Sequence, residues 1–250
     1  MPAPKRERPR LDQLLVDRGL IETRAKAQAM VMAGKVFSGE KKLEKPGIRI
    51  DPETALEVRG QPHPWVSRGG LKLAHGLAHF GIDVTGTVAI DVGSSTGGFT
   101  DVLLTNGAVR VYAVDVGKGQ LAWKLRTDDR VVLMEGVNAR NLTAADIPEA
   151  VDMVVCDASF IGLELVLPAA MALARPGAHL MALIKPQFEV GKGMVGKGGI
   201  VRDQALRDEV VSRIRAWVTE NMGWRVLGIT ESPITGADGN VEYLIAAVNE

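Results

Sequence analysis

A chain of 250 residues, 46% of them hydrophobic and with 30 basic and 30 acidic side chains, is long enough for one full core plus a small second unit and carries no net charge. No apolar run reaches the roughly 18 residues of a membrane span, and the charged start MPAPKRERPR leads into no apolar signal segment. A single cysteine, Cys156, excludes an intrachain disulfide framework and a cysteine-rich zinc site, so a soluble cytoplasmic protein is expected.

The neutrality is uneven along the chain. Residues 1–50 hold twelve Lys and Arg against six Asp and Glu, a charge of +6, and residues 51–250 carry −6. A basic head on an acidic body points to a polyanion-binding unit attached to something else. In that head RLDQLLVDRGL reads as a short helix stopped at Gly19. ETRAKAQAMVMAGKV reads as a second helix with Thr23 as N-cap and Gly34 as stop. KVFSGEKKLEKPGIRIDPETALEV then alternates short β-like runs with turns at Ser38-Gly39, Pro46-Gly47 and Asp51-Pro52. Residues 1–60 are predicted to form a small α+β domain, residues 61–64 a linker and residues 65–250 a second domain.

From Trp65 the pattern changes. Apolar runs recur at 88–92, 109–114, 131–134, 151–156 and 178–184, with amphipathic or Ala/Leu-rich segments between several of them. Such alternation predicts a parallel sheet covered by helices on both faces. WRVLGITESPIT and NVEYLIAAV, joined by GADGN, form a hairpin, which makes the last pair antiparallel. An α/β fold with a mostly parallel seven-stranded sheet and an antiparallel C-terminal hairpin is the layout of class I (Rossmann-like) methyltransferases.

Ligands of open α/β sheets bind at the carboxyl ends of the strands. The first run ends in AIDVGSSTGGFTDVLL, where a dinucleotide site would place Gly-x-Gly-x-x-Gly. Gly93 and Gly98 fit, but Ser95 stands at the second glycine, so the turn is expected to cradle a nucleoside that has no pyrophosphate. Its contacts are Asp91, Gly93, Ser94, Ser95, Thr96, Gly97, Gly98 and Phe99. Asp115, 24 residues beyond Asp91, sits where a ribose-binding acid would stand. The next strand ends bring Asn138, Asp157 and Lys185 to the same edge. S-adenosylmethionine is the expected cofactor; a nicotinamide cofactor fits less well, given Ser95 and the terminal hairpin.

Four residues carry a more specific resemblance. Lys72 in WVSRGGLKLAHGL, Asp157 in CDASF, Lys185 in LIKPQFE and Glu242 in NVEYL have the order of the Lys-Asp-Lys-Glu tetrad of FtsJ-like RNA ribose 2′-O-methyltransferases. The blocks VSRGGLKL, DVGSSTGGFTDVLL, VDVGKGQL, DASFI, IKPQFE, VGKGGIVRD and GNVEYL resemble the TlyA (haemolysin A-like) family of ribosomal RNA methyltransferases. RLDQLLVDRGLIETRAKAQAMVMAGKV is similar to the RNA-binding module of a small-subunit ribosomal protein and of some pseudouridine synthases. Trp65-Val66 match the aromatic–valine pair of the family's linker, while its Arg-rich start is replaced here by PHP.

The resemblance implies 2′-O-methylation of cytidines in small- and large-subunit rRNA, with ribosomal RNA and ribosomal subunits as partners and neither metal nor membrane involved. A monomer is the default expectation. The RNA contacts expected from charge are Arg8, Arg10, Arg18, Arg24, Lys26, Lys35, Lys41 and Lys42 in the head, Arg68 after the linker, and Lys192 and Lys197 in the glycine-rich EVGKGMVGKGGIVRD. Residues 61–250 alone are expected to bind the cofactor still, but to lose most of the affinity for RNA.

The chemistry independently asks for such groups. A ribose hydroxyl is a poor nucleophile at neutral pH and needs a general base as it attacks a sulfonium methyl. A lysine serves as base where its pKa falls well below the usual ~10.4, which burial and a second ammonium promote. Lys185 is read as the base, Lys72 as the second ammonium, and Asp157 and Glu242 as the carboxylates that orient them.

Several rivals share parts of this pattern. Cytosine-C5 methylation would need Cys156 as nucleophile, but strand alternation turns it away from Asp157. N6-adenine methylation is suggested by DASF, yet leaves the two lysines without a task. A non-catalytic RNA-binding assembly factor could keep the same fold. Pore formation, suggested by the haemolysin name, lacks a span or a long amphipathic hairpin. His75 and His79 have a zinc-compatible spacing but no third ligand in the pattern.

Overall fold

The structure, a computed structural model, describes residues 8–18, 20–21, 23–59, 63–191, 193–196, 198–236 and 239–250. Gly19, Lys192, Lys197 and linker residues 61 and 62 lie outside the described residues, as do 237 and 238 of the GADGN turn.

The head is built from α1 (Leu11–Asp17), α2 (Arg24–Met32) and three short strands, β1 (Val36–Ser38), β2 (Lys41–Lys42) and β3 (Glu57–Val58). The strands pair antiparallel in the order β2-β1-β3. Thr23 caps α2, its Oγ1 accepting from Lys26 N–H at 3.3 Å. Beyond the C-terminus of that helix Gly34 turns the chain at φ +67°. Leu11, Leu15, Ala27, Val31 and Val36 are buried in one small apolar cluster.

The body is a seven-stranded sheet of order β6-β5-β4-β7-β8-β10-β9. Its strands are β4 (Val88–Val92), β5 (Arg110–Asp115), β6 (Val131–Glu135), β7 (Val151–Cys156), β8 (Ala174–Ile184), β9 (Trp224–Glu231) and β10 (Tyr243–Asn249). β4 to β8 pair in parallel, and β10 runs antiparallel to both β8 and β9. Strand alternation sorts the side chains onto two faces. Ala89, Val111, Met153, Val155 and Met181 face α3 (Gly69–Phe80), α4 (Gly98–Thr105) and α5 (Trp123–Arg126). Ile90, Tyr112, Val154, Leu180 and Ala182 face α6 (Leu163–Val166), α7 (Pro168–Ala172) and α9 (Gln204–Ala216). The short α8 (Pro186–Glu189) follows β8 directly.

The terminal hairpin differs from expectation in its length. β9 stops at Glu231 because Pro233 has no N–H to donate to a ladder. Ser232 N–H still reaches Glu242 O at 2.9 Å, which closes the hairpin over a longer loop than GADGN. Asn240 in that loop accepts from Val201 N–H at 3.0 Å and donates to Gly199 O at 2.9 Å. The glycine-rich segment is therefore tied down at residues 199–201.

Candidate functional site

A cavity of about 640 Å³ opens where the carboxyl ends of β4, β7 and β8 meet the N-terminus of α3. Two close approaches shape it. A Cβ on Gly98 would stand 2.3 Å from Ser67 Oγ and 2.9 Å from Gly70 N, so α4 and α3 meet at a contact only glycine permits. Gly93, at φ +80°, would press a Cβ to 2.7 Å from Ala158 Cα. These contacts set Lys72 on α3 against the loops that follow β4 and β7.

The four tetrad residues form one connected chain of charge. Lys72 Nζ donates to Glu242 Oε2 at 2.6 Å and lies 3.7 Å from Asp157 Oδ2. Lys185 Nζ lies 2.6 Å from Asp157 Oδ1 and donates to the Asp157 carbonyl at 2.9 Å and to Ser159 Oγ at 3.0 Å. Asp157 thus sits between the two lysine nitrogens, one oxygen toward each. Both lysine side chains are 7% exposed and Glu242 is 3% exposed, so the pairing takes place out of bulk water.

Asp91 is fully buried and lines the cavity. Its Oδ2 accepts from Thr100 N–H at 3.0 Å and from Thr100 Oγ1 at 2.7 Å. Its Oδ1 has no partner among the described residues. Burial pushes its carboxyl up to about 7, against the Thr100 hydrogen bonds and with a further push from the Asp157 and Asp115 charges. An ionised Asp91 therefore calls for a cationic or donor ligand that the described residues do not supply.

Ser94, Ser95, Thr96, Gly98 and Phe99 line the same cavity with Gly93. Ser95 is exposed at φ +46°, a strained conformation for a side-chain-bearing residue. Asp115 holds it there, accepting from Ser95 N–H at 2.8 Å and from Gly117 N–H at 2.7 Å. Asp115 stands beside the cavity, and Gln120, which accepts from Ser95 Oγ at 3.2 Å, lines it. Two expected contacts lie elsewhere. Gly97, at φ +94°, is a packing glycine whose Cβ would stand 2.2 Å from Leu125 Cδ1. Asn138 accepts from Arg140 N–H at 3.1 Å and caps the short turn Ala139–Asn141, and it does not line the cavity.

Some lining residues carried no sequence signal of their own. Phe160 is 90% exposed at φ +65°, and its ring centroid lies 5.1 Å from that of Phe188. Together they offer an aromatic surface at the cavity mouth. The repeated ending of DASF and KPQF in phenylalanine was the available hint. Gln187 lines the same wall with an Oε1 that has no partner among the described residues. Glu189 braces this wall, accepting from Leu163 N–H at 2.8 Å and from Arg213 Nη2 at 3.2 Å. The head also reaches the cavity through Val16, Asp17 and Ile21, and Trp123 N–H donates to Arg18 O at 3.1 Å. Sequence reading missed this wall, because docking of two units has no periodicity to read.

The basic residues fall into different roles. Arg18 donates to Thr54 O at 2.5 Å and to Pro52 O, so two of its donors are used inside the head. Arg10 and Arg24 converge on Asp12. Lys42 pairs with Glu44 at 3.2 Å, and Arg68 donates to Thr235 O at 3.0 Å. Arg8, Lys26, Lys35 and Lys41 are exposed. Cys156 is fully buried in the core face opposite α3, and burial pushes its thiol up to about 12. His75 and His79 stack with centroids 5.7 Å apart, and no metal-holding cluster occurs among the described residues.

Comparison with known proteins places this geometry. Residues 65–249 match the FtsJ-like methyltransferase family and residues 9–56 the S4 domain. The chain is 52% identical over 237 residues to Bacillus subtilis YqxC, provisionally named an rRNA methyltransferase, covering 94% of this chain and 84% of that one. It is 48% identical over 239 residues to the 16S/23S rRNA (cytidine-2′-O)-methyltransferase TlyA of Mycobacterium tuberculosis, covering 95% and 89%. A solved Streptococcus thermophilus structure that carries a hemolysin name superposes with a TM-score of 0.73 at 44% identity, covering 97% of this chain and 89% of that one.

Proposed function

Because the chain belongs to the FtsJ-like methyltransferase family and carries an S4 domain ahead of it, we propose that it methylates ribose 2′-hydroxyls of ribosomal RNA with S-adenosylmethionine. The target is a cytidine, by similarity to the relatives named for that reaction. Residues 1–60 serve as the RNA-holding head, joined through 61–64 to the catalytic body 65–250. The observation that carries the reading is the buried chain Glu242–Lys72–Asp157–Lys185 at the floor of a cavity shared with Asp91.

The residues present fit the cofactor. The unpartnered Asp91 Oδ1 suits an ammonium group such as that of the methionine end. The tight turn from Gly93 to Gly98 leaves backbone and no side chain where Gly93 and Gly98 approach their neighbours. Asp115, beside Ser95 and Gln120, keeps acceptor capacity on its carboxylate for ribose hydroxyls. When bound, the cofactor supplies an electrophilic methyl group on a sulfonium.

Lys185, entering the step as the neutral amine, then receives the proton of the attacking 2′-hydroxyl and becomes the ammonium, because its Nζ is the nitrogen held at the cavity floor by Asp157 and Ser159. Asp157 fixes that amine in place and offsets the charge it gains. Lys72, held by Glu242, keeps a second positive charge next to Asp157, so the carboxylate is shared and Lys185 does not hold it alone. Phe160 and Phe188 give an unpaired base a face to stack on, which holds the ribose in line with the methyl group. Base-carbon chemistry is disfavoured, since Cys156 faces the core and not the cavity. No helix among the described residues is long and apolar enough to cross a membrane, and action on ribosomal subunits accounts for the basic head.

Lys185→Ala separates binding from chemistry. Calorimetry is expected to find S-adenosylmethionine affinity within about threefold of wild type, while methyl transfer to ribosomal subunits falls by about 10²–10⁴. Appreciable turnover by the folded variant would remove Lys185 as the base.

A further inference from the structure

The buried acid of the head has more partners than a helix this small needs. Asp12, in the first turn of α1, is fully buried. Arg10 grips it in two bonds, Nε to Oδ1 at 2.9 Å and Nη2 to Oδ2 at 2.8 Å. Arg24 Nε reaches Oδ2 at 3.2 Å and Gln28 Nε2 reaches it at 2.8 Å from α2. Gln13 N–H adds a bond to Oδ1 at 3.0 Å. The acceptor capacity of a carboxylate is thereby filled. The Arg10 hydrogen bonds, foremost, hold its carboxyl well below the usual carboxylate range, so it is ionised at every working pH.

The two arginines are only half committed. Their side chains are 43% and 50% exposed, although each is anchored to an acid that is not exposed at all. A guanidinium has five N–H donors; among the described residues Arg10 spends two on Asp12 and Arg24 one. Arg10 is further confined by Gly47, where a Cβ would stand 3.1 Å from its Nη1. Its backbone is bridged to Arg49. Arg24 is confined by the Thr23 cap at the start of α2.

We propose that Asp12 is a positioning residue that builds a phosphate clamp from Arg10 and Arg24, presenting both guanidinium groups at fixed positions to the sugar–phosphate backbone of structured RNA. The clamp rests on the reading of the head as RNA-holding. Its physical content is pre-organisation: the rotamer freedom of two long side chains is lost at folding and not at binding. Arg suits the task because its planar fork matches phosphate oxygens in pairs.

Charge and position make opposite predictions for Asp12→Asn, which is what makes the clamp testable. The substitution removes a negative charge from a basic surface. A diffuse patch would then bind RNA more tightly, whereas a clamp that has lost its anchor binds its proper site less tightly. The experiment uses the full-length protein, with bacterial ribosomal subunits that lack the modification as the specific probe and poly(A) as the unspecific one. Asp12→Asn is expected to weaken subunit binding at least tenfold, to lower the salt slope of log K by about 1–2, and to leave poly(A) binding equal or tighter. Arg10→Lys, which keeps the charge and loses the fork, is expected to weaken subunit binding in the same way. Subunit binding by Asp12→Asn as tight as wild type or tighter overturns the clamp. So does a parallel loss on both probes with a lowered melting temperature, which marks a purely structural role. If Asp12→Asn does not fold, Arg10→Lys decides: unchanged subunit affinity overturns the clamp. Failure of wild type to bind subunits would instead remove the RNA reading of the head itself.

Discussion

Lys72 and Glu242 are 170 residues apart in the chain, yet Lys72 Nζ meets Glu242 Oε2 at 2.6 Å with both side chains buried. The contact closes the sheet, because Glu242 precedes β10, the strand inserted last between β8 and β9. Removing one partner leaves the other charged and desolvated. Glu242→Ala is therefore expected to cost about 3–5 kcal/mol in denaturant unfolding, while replacing both residues with apolar ones of similar volume costs less. A double-variant loss equal to the sum of the losses for Glu242 and Lys72 replaced singly would mean that the pair is not coupled.

Asp91 makes cofactor binding depend on pH. Its carboxyl is raised to about 7 in the folded protein, chiefly by burial, from an ordinary value near 3.8. The sign follows from linkage: the folded state holds this proton more tightly than the unfolded chain. The stability it contributes is full below about pH 4 and is lost as pH rises toward 7. Binding of a cationic methionine end favours the ionised form. Affinity for S-adenosylmethionine is expected to rise with pH up to about 7 and level off above, with proton release at pH 6 seen as a buffer-dependent calorimetric heat. Asp91→Asn should flatten this profile; an unchanged profile in that variant would assign the titration to another group.

Much of this was legible in the sequence because strand interiors and strand ends obey different rules. The apolar runs at 88–92 and 151–156 became β4 and β7, and the polar residues after them, Ser94 and Asp157, line the cavity. Asn138 follows the same rule at the end of β6, but it caps a 3₁₀ turn and is not among the cavity's lining residues. Charge alone marks Arg18 as a phosphate contact, and the carbonyls of Pro52 and Thr54 that its guanidinium also meets lie too far along the chain to be read from it. For Phe160 the sequence offers only the shared phenylalanine ending of DASF and KPQF, because its role depends on a positive φ and on meeting Phe188 from another loop.

The head closes one side of the cavity with Val16, Asp17 and Ile21. A protein of residues 65–250 is expected to bind S-adenosylmethionine about threefold to tenfold more weakly than the full chain, from lost burial equivalent to roughly 0.7–1.4 kcal/mol. It should also lose most of its salt-dependent affinity for rRNA. Calorimetry and filter binding on the two proteins measure both effects. Undiminished cofactor affinity would show that the head covers the cavity without sealing it.

Cys156 separates ribose-oxygen chemistry from base-carbon chemistry. It is fully buried, and burial pushes its thiol up to about 12, so no thiolate forms at neutral pH. Cys156→Ser is expected to lower stability by about 1–3 kcal/mol for a hydroxyl placed in an apolar core, with methyl transfer retained. A folded variant that binds cofactor and RNA but transfers no methyl would point to cysteine nucleophilic chemistry.

The most direct test identifies the methylated nucleoside. The purified protein is incubated with isotopically labelled S-adenosylmethionine and ribosomal subunits from cells lacking the enzyme, and the rRNA is digested to nucleosides for mass spectrometry. The account predicts label in 2′-O-methylcytidine and none when Lys185 is replaced by Ala. Label in 5-methylcytidine or N6-methyladenosine, or equal label from Lys185→Ala, would contradict it.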